Sequence, residues 1–177
     1  MSMEHARDNL KQFGKELGLE GLEFDENNTC ILGIDDEFSL HITYEPNSKR
    51  LYLYSPLLDG LPKDPKILLK LYEKLLEGSM LGGQMAGGGV GVAVKEELIL
   101  MHCTLDMEYA DGDALRRFAP LYVETVENWR KKCKNICDGV EISDEPPTAP
   151  KSQSAPPSSG KPASGAGGSQ GGGFIRI

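Results

Sequence analysis

The run Gly82-Gly83-Gln84-Met85-Ala86-Gly87-Gly88-Gly89-Val90-Gly91 is the first place in this chain where phosphate chemistry could be sought. Glycine-rich loops cradle phosphates by pointing backbone N–H groups at them, but they do so after a strand and at the mouth of a helix. Here no Gly-x-Gly-x-x-Gly frame fits, no Gly-Lys-Ser/Thr follows, and the run leads into the alternating Val90, Val92 and Val94 of a strand. It reads as a connector that lets backbone approach backbone closely. His102 beside Cys103 suggests a thiol and its base, yet neighbours on a strand point to opposite faces, so the two cannot pair. His41 falls on the polar side of its strand. Asp35-Asp36-Glu37 lacks the rest of a calcium-loop pattern and suits a hairpin turn. Cys133 and Cys137 stand one helical turn apart, not in Cys-x-x-Cys spacing, and His5, His41 and His102 are scattered, so no metal site assembles. Neither a nucleophile elbow nor a His-Glu-x-x-His helix is present. The sequence predicts no catalytic residue, no cofactor and no metal, and it predicts that Cys30, Cys103, Cys133 and Cys137 are reduced.

The elements behind these residues follow from hydrophobic period. Ala6, Leu10, Phe13 and Leu17 recur at helical spacing, with Arg7, Asp8, Lys11 and Lys15 on the other side, which predicts a helix over about 3–17 ended by Gly18. Cys30–Ile34 reads as a strand. Phe38, Leu40, Ile42 and Tyr44 alternate with Ser39, His41 and Thr43 in a second. Leu51–Tyr54 is a third, apolar on both faces, so each face should be covered. Asp64 and Pro65 open a second helix and Gly78 lies just past its end. Ile67, Leu68, Leu69, Leu71, Tyr72, Leu75 and Leu76 wrap more of that helix than the stripe of about 100° that one sheet can cover, so a second surface is needed, and a copy of the same chain would supply it. Residues 87–105 form a second hairpin. A last helix spans about 113–137, with a kink or short break at Pro120. The order α-β-β-β-α-β-β-α defines an α+β fold with an antiparallel sheet of about five strands and three helices, expected as a two-fold homodimer.

The chain has 177 residues and a net charge of −8. Residues 140–177 hold 7 Gly, 6 Pro and 7 Ser and carry no net charge, so they are expected to be a disordered tail appended to a domain over 1–139. In that tail Phe174-Ile175-Arg176-Ile177 is the one apolar cluster, either a frayed end or a short peptide that returns to the domain. The domain itself carries 16 basic and 24 acidic side chains, which disfavours nucleic acid and anionic membranes as partners. No stretch approaches the roughly 18 apolar residues of a membrane span, and Met1–Asp8 lacks a signal-peptide layout. A cytoplasmic location is expected. An acidic surface with more apolar face than one domain can bury points to a polypeptide ligand.

Several blocks then carry a resemblance: Asp36-Glu37-Phe38-Ser39-Leu40-His41-Ile42, Leu51-Tyr52-Leu53-Tyr54-Ser55-Pro56-Leu57, Leu71–Gly78, Phe118–Trp129 and, most specific, Met80–Val92. Over about residues 3–137 they resemble the class I type III secretion chaperones, the Tir chaperone family, and most closely its chlamydial multi-cargo members. The resemblance implies a cytoplasmic homodimer without enzymatic activity. Such a protein binds N-terminal segments of secreted effectors, keeps them extended and delivers them to the secretion ATPase or sorting platform. It also implies a cargo surface on the first helix and the 30–54 meander, with Leu32, Ile34, Phe38, Leu40, Tyr52 and Tyr54 as candidates, some of them core. Tyr72, Leu76, Met80, Met85, Val90 and Val92 are the candidate dimer interface. Two other readings stand beside this one: an adaptor or regulatory subunit that binds a folded partner, and a small enzyme using Cys103 or His102.

Overall fold

In the computed structural model, which describes residues 2–19 and 21–140, the elements run α1 (Ser2–Glu16), β1 (Thr29–Ile34), β2 (Phe38–Glu45), β3 (Arg50–Asp59), α2 (Pro65–Ser79), β4 (Gly89–Ala93), β5 (Leu98–Asp106) and α3 (Ala114–Cys137), with a 3₁₀ turn at Met80–Gly82. All strand pairs are antiparallel, in the order β1-β2-β3-β5-β4. The three-helix, five-strand order is the one read from the sequence. The expected disordered tail and its Phe174–Ile177 cluster lie outside the described residues.

Local chemistry explains each boundary. The Asp35 and Asp36 backbones sit at φ 46° and 56°, a left-handed pair that short acidic side chains tolerate, and they turn β1 into β2. Asp64 caps α2 by accepting from the Lys66 N–H at 2.8 Å, with Pro65 in the first turn. β3 runs five residues beyond the expected Tyr54. A proline in a central strand marks a ladder irregularity, and the β3–β5 register does shift between Pro56 and Leu58. The Pro56 carbonyl accepts from Arg130 Nη1 at 2.7 Å, the Glu37 carbonyl accepts from Nη2 at 3.0 Å, and the same guanidinium lies 5.5 Å from the Phe38 ring centre. α3 continues through Pro120 as one helix, so of the kink or short break expected there the break is absent.

The core occupies one face of the sheet. Leu40, Ile42, Leu51, Leu53, Ile99 and Met101 are completely buried there, under Leu10 of α1, Leu71 and Leu75 of α2, and Leu115, Tyr122 and Val126 of α3. Period 2 therefore sends the intervening residues to the opposite face. That face carries Ile31, His41, Tyr52, Tyr54, His102 and Thr104, all half-buried or exposed. Among the described residues, the cover expected on both sides of β3 is present on one only.

Candidate functional site

The uncovered sheet face is built in rows by the strand register. Ile31, His41, Tyr54 and His102 align across β1, β2, β3 and β5. The His41 and Tyr54 rings stack with centres 4.8 Å apart, and Ser39 Oγ shares a hydrogen bond of 2.9 Å with His41 Nε2. Burial pushes the His41 imidazole below its ordinary pKa, so it is neutral at neutral pH. A second row is Thr29, Thr43, Tyr52 and Thr104, with Thr29 and Thr43 hydroxyls 2.8 Å apart. Ile31 is 58% exposed at the start of the first row. Its strand, β1, is the outermost of the sheet and among the described residues has a ladder partner on one side only. Aromatic rings, hydroxyls and an open strand edge together can take an extended chain: the edge supplies main-chain hydrogen bonds, and the face holds alternate side chains.

The expected cargo residues divide on this geometry. Tyr52 and Tyr54 are on the uncovered face. Leu32, Phe38 and Leu40 are buried at 8%, 7% and 0% exposure, and Ile34, opposite Phe38, packs against the same core. Leu32 pairs with Leu40, so both must face the helices once the Phe38–Tyr44 stripe does. Leu32, Phe38 and Leu40 therefore correct to core, and Ile34 is half-buried at its margin. Ile31 was missed, although the same alternation carries its signal.

The second surface is the outer side of α2 with the turn that follows. Leu69, Leu76 and Met80 are 60%, 67% and 70% exposed, Leu81 is fully exposed at φ 53°, and Tyr72, Val90 and Val92 lie beside them in sequence or on the edge strand β4 as half-buried or exposed residues. Met85 is the exception and corrects to core: it is completely buried, its carbonyl accepts from Cys103 Sγ at 3.3 Å, and the neighbouring Gln84 carbonyl accepts from Trp129 Nε1 at 2.8 Å. The glycines make this tight seat possible. A Cβ on Gly78 would meet the Trp129 ring, and one on Gly88 would meet the His102 carbonyl and Cys103 Sγ. Close approach is the role expected of the glycine run.

His102 and Cys103 point to opposite faces, one exposed and one buried. Burial pushes the Cys103 thiol up to about 11 and Cys133 up to about 12, and raises Cys30 and Cys137 as well. Thiols so buried and so weakly acidic are poor nucleophiles at neutral pH. Among the described residues no group of His, Cys, Asp and Glu could hold a metal ion, and no helix is long and apolar enough to cross a membrane.

The Tir chaperone protein (CesT) family model matches residues 8–130. The chain belongs to this family. Among solved structures, the Tir-family fold seen here is similar to that in the HopA1–SchA chaperone–effector complex, at 24% identity over 72% of this chain and 94% of that one, with a TM-score of 0.57. It is similar to the ExsC–ExsE complex at 14% identity over 74% and 94%, TM-score 0.60. A third likeness is to the type III secretion chaperone SycH of Yersinia pestis in complex with a fragment of YscM2, at 17% identity over 70% and 98%, TM-score 0.54. At such identities these matches speak for the fold. No curated protein matches the chain.

Proposed function

We propose that this Tir-family protein is a cytoplasmic, non-enzymatic chaperone that binds N-terminal segments of type III secreted effectors. It keeps them extended and targets them to the secretion ATPase or sorting platform. The observation that carries the reading is the uncovered sheet face, with Tyr52 and Tyr54 on β3 and Ile31 on the edge strand β1. Complexes of similarly folded chaperones with effectors support it. Each main-chain hydrogen bond to an added strand contributes about 1 kcal/mol net, whereas a buried Leu or Phe anchor contributes roughly 1.5–3 kcal/mol. Affinity thus comes from apolar anchors and is compatible with several cargos, as in the chlamydial multi-cargo members of the family.

The working unit in this reading is a two-fold homodimer joined through α2, its following turn and β4. Its interface residues are Tyr72, Leu76, Met80, Val90 and Val92, with Leu69 and Leu81 added. A specific interface buries about 800 Å² per partner. Residues 140–177 are read as a separate tail.

Co-expression with candidate effector N-terminal segments tests the function. The segments are expected to become soluble and to co-purify. Ile31→Asp combined with Tyr54→Ala is expected to abolish this while leaving the mass by light scattering unchanged. If no segment gains solubility, the chaperone reading fails; if the double variant still binds every segment, the cargo surface is elsewhere.

A further inference from the structure

α1 carries Arg7, Lys11 and Lys15 four residues apart, so they form one cationic line along the helix. They wall a cavity of about 550 Å³ whose opposite side is the segment after the helix, with Leu19, Leu22 and Phe24, and whose floor is Leu10. The segment is held close: a Cβ on Gly14 would meet the Leu19 carbonyl and Leu22 Cβ, and Gly18 and Gly21 turn it at φ 67° and 86°. Among the described residues Glu23 is the one acidic member of the lining. Arg7, Lys11 and Lys15 have no ion-pair partner among the described residues, whereas Glu16 of the same helix pairs with Arg116 at 3.1 Å. In a chain of net charge −8, three cations without an ion-pair partner among the described residues line one wall of the cavity, opposite Leu19, Leu22 and Phe24.

We infer that this groove takes an extended peptide segment in which acidic and apolar residues alternate. The inference deepens the chaperone reading and rests on it for the source of the peptide, which is the cargo. The spacing selects the pattern. Four helical residues advance about 6 Å, and two residues of an extended chain advance about 6.6 Å. Successive cations of α1 therefore match every second side chain of an extended peptide. The side chains between them point the other way, toward Leu19, Leu22 and Phe24. From residue 7 to residue 15 the line is about 12 Å long, which is the span of about four extended residues. The acidic positions choose among segments that the apolar anchors alone would accept equally.

The test is fluorescence anisotropy on the full chain with a labelled peptide of alternating Asp and Leu or Phe. Its Asn counterpart and a peptide of the same composition with the acids in one block serve as comparisons. An exposed ion pair changes affinity roughly two- to five-fold, so the alternating peptide is expected to bind about tenfold tighter than the Asn peptide, and tighter than the block peptide. Added salt should remove the advantage. Lys11→Glu with Lys15→Glu should abolish the preference, Lys131→Glu on α3 should not, and the melting temperature of each variant checks its fold. If charge reversal unfolds the protein, Lys11→Gln with Lys15→Gln is the comparison. Equal binding of the three peptides, or a preference that survives the double substitution, overturns the inference. So does displacement by an oligonucleotide of equal charge, which would mark a general anion site. In co-expression, loss of the groove alone would show as equal capture of acidic and neutral effector segments. Failure of the chaperone reading would show as capture of none.

Discussion

Asn9 is a polar residue on the apolar stripe of α1, and its position is explained by the start of α3. Its Oδ1 accepts from the Leu115 N–H at 2.9 Å, supplying the cap that Asp113 does not, while its Nδ2 donates to the His5 and Asp111 carbonyls at 2.9 and 2.8 Å. One buried N–H and two part-buried carbonyls share this one side chain. Asn9→Leu is expected to cost about 2 kcal/mol, because the Leu115 N–H is left buried without an acceptor and keeps its desolvation penalty. Urea unfolding should show a lower midpoint at unchanged slope; a loss under about 1 kcal/mol would mean that water replaces the cap. The thiols give a second expectation at this scale. Cys137, half-buried, should react first with a thiol reagent near pH 8, and Cys103 and Cys133 only after unfolding. Burial raises Cys103 from its ordinary 9.0 to about 11. The unfolded thiol therefore ionises first, and stability from this group, full below pH 9, is lost as pH rises toward 11. A stability that rises across that window would contradict the burial. The tie from Asn9 to α3 was not legible beforehand, since Asp111 and Leu115 lie about a hundred positions away.

At the scale of elements, the surplus of apolar residues on α2 was legible because period alone counts how much of a helix is greasy. Leu71 and Leu75 are turned inward, and Leu69 and Leu76 are left outward, as that count requires. Period stops at the helix end. Met80 and Met85 look equivalent in sequence, but Leu81 and Gly82 both adopt positive φ, and the reversal puts Met80 in solvent and Met85 in the core. The β1 residues failed for a related reason: which side of a short apolar strand faces inward depends on its register with β2. The dimer proposal yields a direct expectation. Leu76→Glu with Met80→Glu places charges where two apolar faces would meet, at positions already exposed in one chain, so the fold should hold while association is lost. Light scattering at tens of micromolar should give the single-chain mass for the variant and twice that for the parent. A variant that remains dimeric would move the interface off α2.

For the molecule as a whole, the composition break near residue 140 divides two kinds of chain. Among the described residues the buried cluster runs from Ala6 to Ile136, and it joins the sheet to all three helices. The net charge of −8 likewise sits within residues 1–139. Residues 141–177 contribute Phe174, Ile175 and Ile177 as their large apolar side chains besides Ile142, too few to bury the surface that ordering so long a segment requires. Deleting 141–177 is therefore expected to leave the melting temperature and the dimer unchanged, as read by calorimetry and light scattering. The same deletion separates the two readings of Phe174-Ile175-Arg176-Ile177. A flexible segment of about 35 residues has a root-mean-square reach of roughly 30–35 Å, enough to bring its apolar end back to a sheet edge. A docked end would compete with an added strand, so removing it would tighten effector binding in titration calorimetry. A frayed end would leave the affinity as it was. A drop in melting temperature of several degrees would instead place part of the tail in the fold and move the domain boundary beyond residue 140.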